Sequence, residues 1–111
     1  MITIQDYIDS YHPSWSKKLK IHTINENDEW YLLKRTYPDK ELLHTQRILL
    51  NKKEPIYYSW QHINHNLHYC KLKEHDGVIR KDDSKWLGLR TFKYYETDIN
   101  KILNSIMVDV L

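Results

Sequence analysis

The chain has 111 residues and a formal net charge of +2, which is enough for one hydrophobic core and too weakly basic to hold nucleic acid by charge alone. A single cysteine, Cys70, excludes an internal disulfide framework, and the start of the chain lacks the basic and apolar stretches of a signal peptide. No run approaches the ~20 apolar residues of a membrane span, so we expect one globular domain over residues 1–111, cytoplasmic in its own cell or inside a host cell.

The first part of the chain predicts a short helix followed by a β-hairpin. Thr3 is placed to cap a helix whose apolar spacing is helical and which Pro13 closes. Residues 19–24 alternate as a strand does, and residues 29–36 return as a second strand after a polar turn.

The stretch that follows favours a second helix, over residues 36–53. Thr36 is a suitable cap, Pro38 falls in the first turn, and Pro55 stops the chain beyond the last turn, with leucines sharing one face between them. The alternative is another strand, because residues 43–48 also tolerate an extended conformation.

Two hairpins are predicted next. Residues 56–62 are rich in strand-forming residues, residues 64–66 make a turn, and residues 67–74 alternate as a returning strand. Asp76-Gly77 is typical of a type I′ turn, which reverses the chain again.

The end of the chain predicts a broken strand and a final helix. Residues 78–80 extend from the turn, residues 82–84 end that strand, and residues 85–94 are strand-like or irregular with Gly88 as a bulge. Thr97 caps a helix with a continuous apolar stripe. The stripe consists of Ile99, Ile102, Leu103, Ile106 and Val110. The predicted order is α-β-β-α-β-β-β-α, an α+β domain in which a mainly antiparallel sheet of about four or five strands packs with two or three helices.

Aromatic and basic residues are interleaved along this chain, as in surfaces that recognise protein or nucleic acid. We expect Trp30, Trp60 and Trp86, which fall in strands, to be buried, and Trp15 to be exposed. The predicted binding residues are Trp15, Lys17, Lys18, Tyr57, Tyr58, Arg90, Lys93, Tyr94 and Tyr95. Because neighbours in an extended chain point to opposite faces, one ring of each adjacent tyrosine pair in this set is expected to face outward.

The residues most like a metal or catalytic site are His62, His65 and His68, with Cys70 and His75 nearby. A three-residue turn would place His62 opposite His68 with Cys70 on the same face, whereas a two-residue turn would separate them. The spacing is not that of an established zinc motif, and a cysteine in an alternating strand is typical of a small core residue. The sequence therefore predicts no cofactor and no metal, and His62, His68 and Cys70 are the alternative ligand set.

These patterns favour a non-enzymatic binding protein that masks or bridges a macromolecular partner, in the first place a protein. Lysine outnumbers arginine 13 to 4 and alanine is absent, a bias of AT-rich genomes, which suggests an inhibitor or immunity protein of a phage or mobile element. The alternatives are a nucleic-acid-binding accessory protein that uses the same rings and lysines, and a metal-binding protein or unrecognised enzyme at the histidines. No membrane partner is expected, and the oligomeric state is left open.

Overall fold

A single six-stranded sheet organises the chain. A computed structural model describes the backbone of residues 1–36 and 45–110 and the side chains of all of these except 107–110. The elements are α1 (Ile4–Asp9), α2 (Pro13–Ser16), β1 (Lys20–Glu26), β2 (Trp30–Thr36), β3 (Gln46–Asn51), β4 (Ile56–Gln61), β5 (Asn66–His75), β6 (Val78–Leu89) and α3 (Ile99–Val110). All strands pair antiparallel with their neighbours in chain order, from β1 to β6. None of the helices in the described ranges is long and apolar enough to cross a membrane.

The α+β class and the antiparallel sheet are confirmed, although the sheet has more strands than the four or five predicted. The Cα radius of gyration is 13.4 Å, close to the ~13 Å expected of one compact domain of about this length. The order found in the described residues is two helices, six strands and one helix, because residues 46–51 of one predicted helix form a strand and the first helix is followed by a second.

Local hydrogen bonds explain the first two helices. The Thr3 hydroxyl accepts from the Asp6 N–H at 3.1 Å, and the Asp6 carboxylate accepts from the Thr3 N–H at 2.8 Å, which is a complete capping box. The predicted start of α1 is therefore confirmed. Pro13 is the first residue of α2. The His12 ring caps this helix by accepting a hydrogen bond from the Ser14 N–H.

β1 and β2 form the predicted hairpin. The part of the chain that follows them differs from the prediction. The helix predicted over residues 36–53 is wrong at residues 46–51, which form β3, and its predicted cap Thr36 is the last residue of β2. Residues 37–44 of that prediction lie outside the described residues.

The reason for the error is the central position of β3, between β2 and β4. Both faces of the sheet are covered, so Ile48 and Leu50 are buried on one face while Leu49 is buried on the other. A strand buried on both sides shows a continuous apolar run without alternation, and such a run resembles part of a buried helix.

The last two strands form a long hairpin. Asp76 and Gly77 have φ angles of 51° and 81°, so the predicted type I′ turn is confirmed. The predicted break at residues 82–84 is wrong, because β6 continues through them. Asp82 is instead an extra residue without a partner on β5. It forms a β-bulge, which bends the strand without ending it.

Both outer strands of the described sheet carry such bulges. Ile24 is the extra residue in β1, and Leu87 is a second one in β6, next to the predicted bulge position Gly88, whose φ is 98°. Bulges and exposed charged side chains hinder edge-to-edge pairing of sheets. The edges of this sheet are therefore poor templates for adding a further strand.

Two cores lie on the two faces of the sheet. On the face that carries α3, the buried residues are Trp30, Leu32, Leu49, Trp60, Leu67, Phe92, Tyr94, Ile99, Ile102 and Ile106. On the face that carries α1, they are Tyr7, Leu33, Ile48, Leu50, Tyr57, Cys70 and Leu72. We call these the α3 face and the α1 face. The burial of Trp30 and Trp60 agrees with the prediction.

The apolar stripe of α3 is confirmed where its side chains are described, since Ile99, Ile102 and Ile106 are buried. The cap is one residue later than predicted. The Asp98 carboxylate, not Thr97, accepts hydrogen bonds from the first backbone N–H groups of the helix, at 3.0 and 3.2 Å.

Candidate macromolecule-binding surface

The predicted binding residues near α2 are at the surface. Trp15 is more than half exposed, as predicted, and Lys17 and Lys18 are exposed. Trp15 lines an open cavity of about 490 Å³ together with Tyr11 and Arg35. The two lysines do not line this cavity.

The first tyrosine pair contributes mainly to packing. Tyr57 is buried on the α1 face, edge-on to Tyr7 with ring centroids 5.1 Å apart, and burial raises the pKa of the Tyr57 hydroxyl. Tyr58 is half-buried between the rings of Trp30 and Tyr69, at centroid distances of 5.9 and 5.6 Å. Tyr57, predicted as a binding residue, is thus a core residue, and Tyr58 is the more exposed ring of this pair.

The second tyrosine pair, Tyr94 and Tyr95, belongs to a different group of side chains. Tyr94 is buried and Tyr95 is 66% exposed, with their rings edge to face at 4.9 Å. Both belong to the irregular segment between β6 and α3, which packs over the ends of β3 and β4. We call Arg47, His62, Arg90, Tyr94 and Tyr95 the Tyr94 cluster. Lys93, also predicted, is exposed beside it.

Arg47 is the buried cation of the Tyr94 cluster, only 7% exposed. Its guanidinium carbon lies 5.1 Å from the centre of the Tyr94 ring and 5.5 Å from that of Tyr95, within the range of cation–π attraction. Its Nη1 donates to the Glu96 carbonyl at 3.3 Å. The Glu96 carboxylate is directed elsewhere, to the backbone N–H groups of Thr97 and Asp98.

Arg90 approaches the same ring. Its guanidinium carbon is 5.9 Å from the Tyr94 centroid, its Nη1 donates to the Phe92 carbonyl at 2.6 Å, and burial lowers its pKa. Burial also raises the pKa of the Tyr94 hydroxyl, an effect that Arg47 partly opposes. The ion pairs of the described residues, Lys52–Glu26 and Lys53–Glu29, lie outside the Tyr94 cluster.

His62 closes the Tyr94 cluster from the β4–β5 loop. Its ring centroid is 5.0 Å from that of Tyr94, edge-on, and 5.5 Å from that of Tyr95. The strands pair Trp60 with Leu67, which leaves a loop of residues 62–65, longer than either turn considered above.

The predicted histidine set is therefore divided. His68 pairs with Ser59 on the α1 face, where Cys70 is buried with its Sγ 3.8 Å from the Ser84 hydroxyl. His62 contacts the α3 face instead, and His65 is exposed in the loop. Within residues 1–36 and 45–110, no group of three histidine, cysteine or acidic side chains is placed to hold a metal ion.

Large exposed side chains lie on both faces of the sheet around the same loop. Ile63 is at its tip, Leu89 pairs with Asn66 at its end, and Trp86 donates from its indole N–H to the Asn66 side chain at 3.1 Å. Each of Ile63, Trp86, Leu89 and Tyr95 is more than half exposed. We call these four residues the β4–β5 surface.

The prediction that Trp86 is buried is wrong, since it is 60% exposed. The error has a topological cause: β6 is an outer strand of the sheet, and nothing in its local pattern distinguishes it from a central one. The same reason explains why Ile63 and Leu89 were missed. Their exposure depends on which elements lie beside them.

A second cavity, of about 300 Å³, lies on the α1 face. Its lining residues are Tyr11, Arg35, Gln46, Tyr57, Ser59, His68, Cys70, Lys81 and Ser84. Arg35 is buried there and donates to the hydroxyls of Tyr7 and Tyr11. These hydrogen bonds tie α1 to the sheet, so this part of the α1 face has a clear structural role.

Comparison with known proteins gives no relative to reason from, since no family model, curated protein or solved structure matches this chain.

Proposed function

We propose that this protein is a non-enzymatic binding protein that docks a protein partner through the β4–β5 surface. The observation that carries the proposal is that large side chains on the segments around one loop are each more than half exposed: Ile63 in the loop, Trp86 and Leu89 on the α1 side of β6, and Tyr95 on the α3 side. Single exposed apolar residues are ordinary, whereas a group of them marks an interaction site. Tryptophan, tyrosine and arginine are also the residues that contribute most binding energy at protein interfaces.

The β4–β5 surface is held in place by hydrogen bonds on both sides of the loop. The Arg90 N–H donates to the His65 carbonyl at 2.6 Å, and the Asn66 N–H donates to the Asn64 side chain at 3.1 Å. Asn64 in turn donates to the Gln61 side chain. A surface that is ordered before binding loses less conformational entropy when the partner arrives, which favours affinity.

The type of partner is proposed from the size of the domain, its exposed apolar side chains and its composition. A small domain with a rigid apolar surface suits masking of another protein's surface, and the composition fits an AT-rich mobile element. We place the protein by this analogy among phage or mobile-element inhibitors and immunity proteins. The buried thiol of Cys70 suits a reducing compartment, and we propose the cytoplasm as its site of action.

Affinity purification from the host with matched variants tests the proposal. The double variant Leu89→Ser/Tyr95→Ala removes apolar contacts from the surface, while Val78→Ser changes an exposed apolar residue at the far end of the same strand. We expect a protein retained by the wild type and by Val78→Ser and lost from the double variant. A partner retained equally by all three would show that binding occurs elsewhere.

A second candidate function is binding of single-stranded nucleic acid. Exposed rings at Trp15, Trp86 and Tyr95 offer stacking platforms, and Lys93 and Arg90 lie beside the last of them. Such binding weakens steeply as salt rises, because phosphate contacts release counterions. Absence of binding to single-stranded probes at low salt would remove this candidate.

A further inference from the structure

Two arginine side chains lie against the Tyr94 ring, with their guanidinium carbons 5.1 and 5.9 Å from its centroid. The Nε atoms of Arg47 and Arg90 are buried, and neither has a hydrogen-bond partner among the described residues. Native proteins pair nearly all buried polar groups, and a buried cation without a counter-charge is costly. Among the residues that the structure describes, the site therefore has an excess of positive charge and of N–H donors.

The nearby carboxylate of Glu96 does not pair with either arginine. Glu96 contacts Arg47 only through its backbone carbonyl, at 3.3 Å, while its carboxylate accepts from the backbone at the start of α3. Lys93 adds a further exposed positive charge to the same segment. An anion brought by a partner would satisfy the arginine donors that the described residues leave unmatched.

We propose that the partner presents an aspartate or glutamate side chain, flanked by apolar residues, whose carboxylate binds Arg90 and Arg47 beside the exposed ring of Tyr95. This inference rests on the proposed function and adds the chemistry of the partner to it. Arg90 is half-buried and is the arginine that the carboxylate reaches first. Arg47 lies deeper, against the exposed Tyr95 ring, with its guanidinium carbon 5.5 Å from the ring centroid.

The neighbourhood favours an acidic protein over a nucleic acid. The β4–β5 surface includes two aliphatic side chains, Ile63 and Leu89, which protein interfaces bury and which bases do not need. An arginine and a carboxylate form paired, charge-assisted hydrogen bonds with strict geometry. Such a pair gives the complex specificity and speeds its formation, while the apolar contacts slow its dissociation.

Selection from a random peptide library on the immobilised full chain tests this inference. We expect enriched peptides with an aspartate or glutamate next to an aromatic or aliphatic residue. Replacing that acid by its amide in a peptide should weaken binding to the wild type by roughly ten- to hundred-fold, as expected for a hydrogen bond between charged groups. The same replacement should have little effect on binding to Arg90→Met, because the partner of the acid is then missing.

The outcomes separate the two proposals. Enriched peptides that lack an acid, and that no longer bind the Leu89→Ser variant, would overturn the carboxylate inference. The proposed binding surface would still stand. Acidic peptides that bind Arg90→Met and Arg47→Met as tightly as the wild type would also overturn it. If no peptide is selected, both proposals fail. If a single-stranded DNA probe competes for the Tyr94 cluster with higher affinity than any peptide, the partner is a nucleic acid and the inference is overturned.

Discussion

The Arg47 guanidinium lies 5.1 Å from the centre of the Tyr94 ring, and this contact joins the central strand β3 to the segment that leads into α3. The contact is supplemented on the same segment by the hydrogen bond from Arg47 to the Glu96 carbonyl. The strand end thus positions both the buried Tyr94 and the exposed Tyr95. Packing and the proposed recognition therefore depend on the same arginine.

Arg47→Met is therefore expected to lower the free energy of unfolding by about 1–2 kcal/mol, since two cation–π contacts and one hydrogen bond are lost. Chemical denaturation measures this difference. Arg47→Lys should recover only part of it, because an ammonium group cannot stack as a planar guanidinium does. Arg80→Met, at an exposed position of β6, is the control and should leave stability unchanged.

Arg90→Met should separate stability from binding. Its Nε is buried without a partner and burial lowers its pKa, so its charge is not well accommodated in the folded chain. We expect stability to change by less than about 1 kcal/mol while affinity for an acidic partner falls. A large loss of stability in this variant would instead make Arg90 a structural residue, contrary to its proposed role.

Asp98→Ala is expected to destabilise the domain by ~1 kcal/mol, because its carboxylate accepts from two N–H groups at the start of α3. Thr97→Ala, one residue earlier, is the matched control and should have little effect. Thermal unfolding of the two variants compares them directly. Equal losses would show that the cap is not at Asp98.

Alkaline pH should unfold the protein through its buried tyrosines. Burial raises the pKa of Tyr7 and of Tyr57, so both hydroxyls stay protonated in the folded chain while in the unfolded chain they ionise near pH ~10. Their contribution is fully present below that pH and is lost above it, by about 1.4 kcal/mol per pH unit for each tyrosine. Tyr57→Phe should reduce this slope, measured by denaturation at increasing pH.

Local signals in the sequence were sufficient for some elements and not for others. The capping box at Thr3 and the turn at Asp76-Gly77 are formed by neighbours in the chain, so residue types alone predicted them. The sequence of β3 favours a helix because burial on both faces is a property of the assembled sheet. Trp86 was placed in the core for a related reason, since the position of β6 at the edge is not encoded locally.

The candidate site was predicted in part. Interleaved rings and cations indicated Arg90, Tyr94 and Tyr95, which the fold brings together. Arg47 and His62 join them only through long-range packing, and no spacing in the sequence connects these positions. Contacts of this kind become visible only once the register of the strands is known.

Hydrogen exchange of the full chain, with and without the protein captured by the wild type, tests the location of the binding surface most directly. The account predicts slower exchange in the β4–β5 loop and in residues 86–96 when the partner is bound. Exchange around Val78, at the opposite end of β6, should not change. Protection confined to α1 and α2, or to the turn at Asp76-Gly77, would contradict the proposed surface.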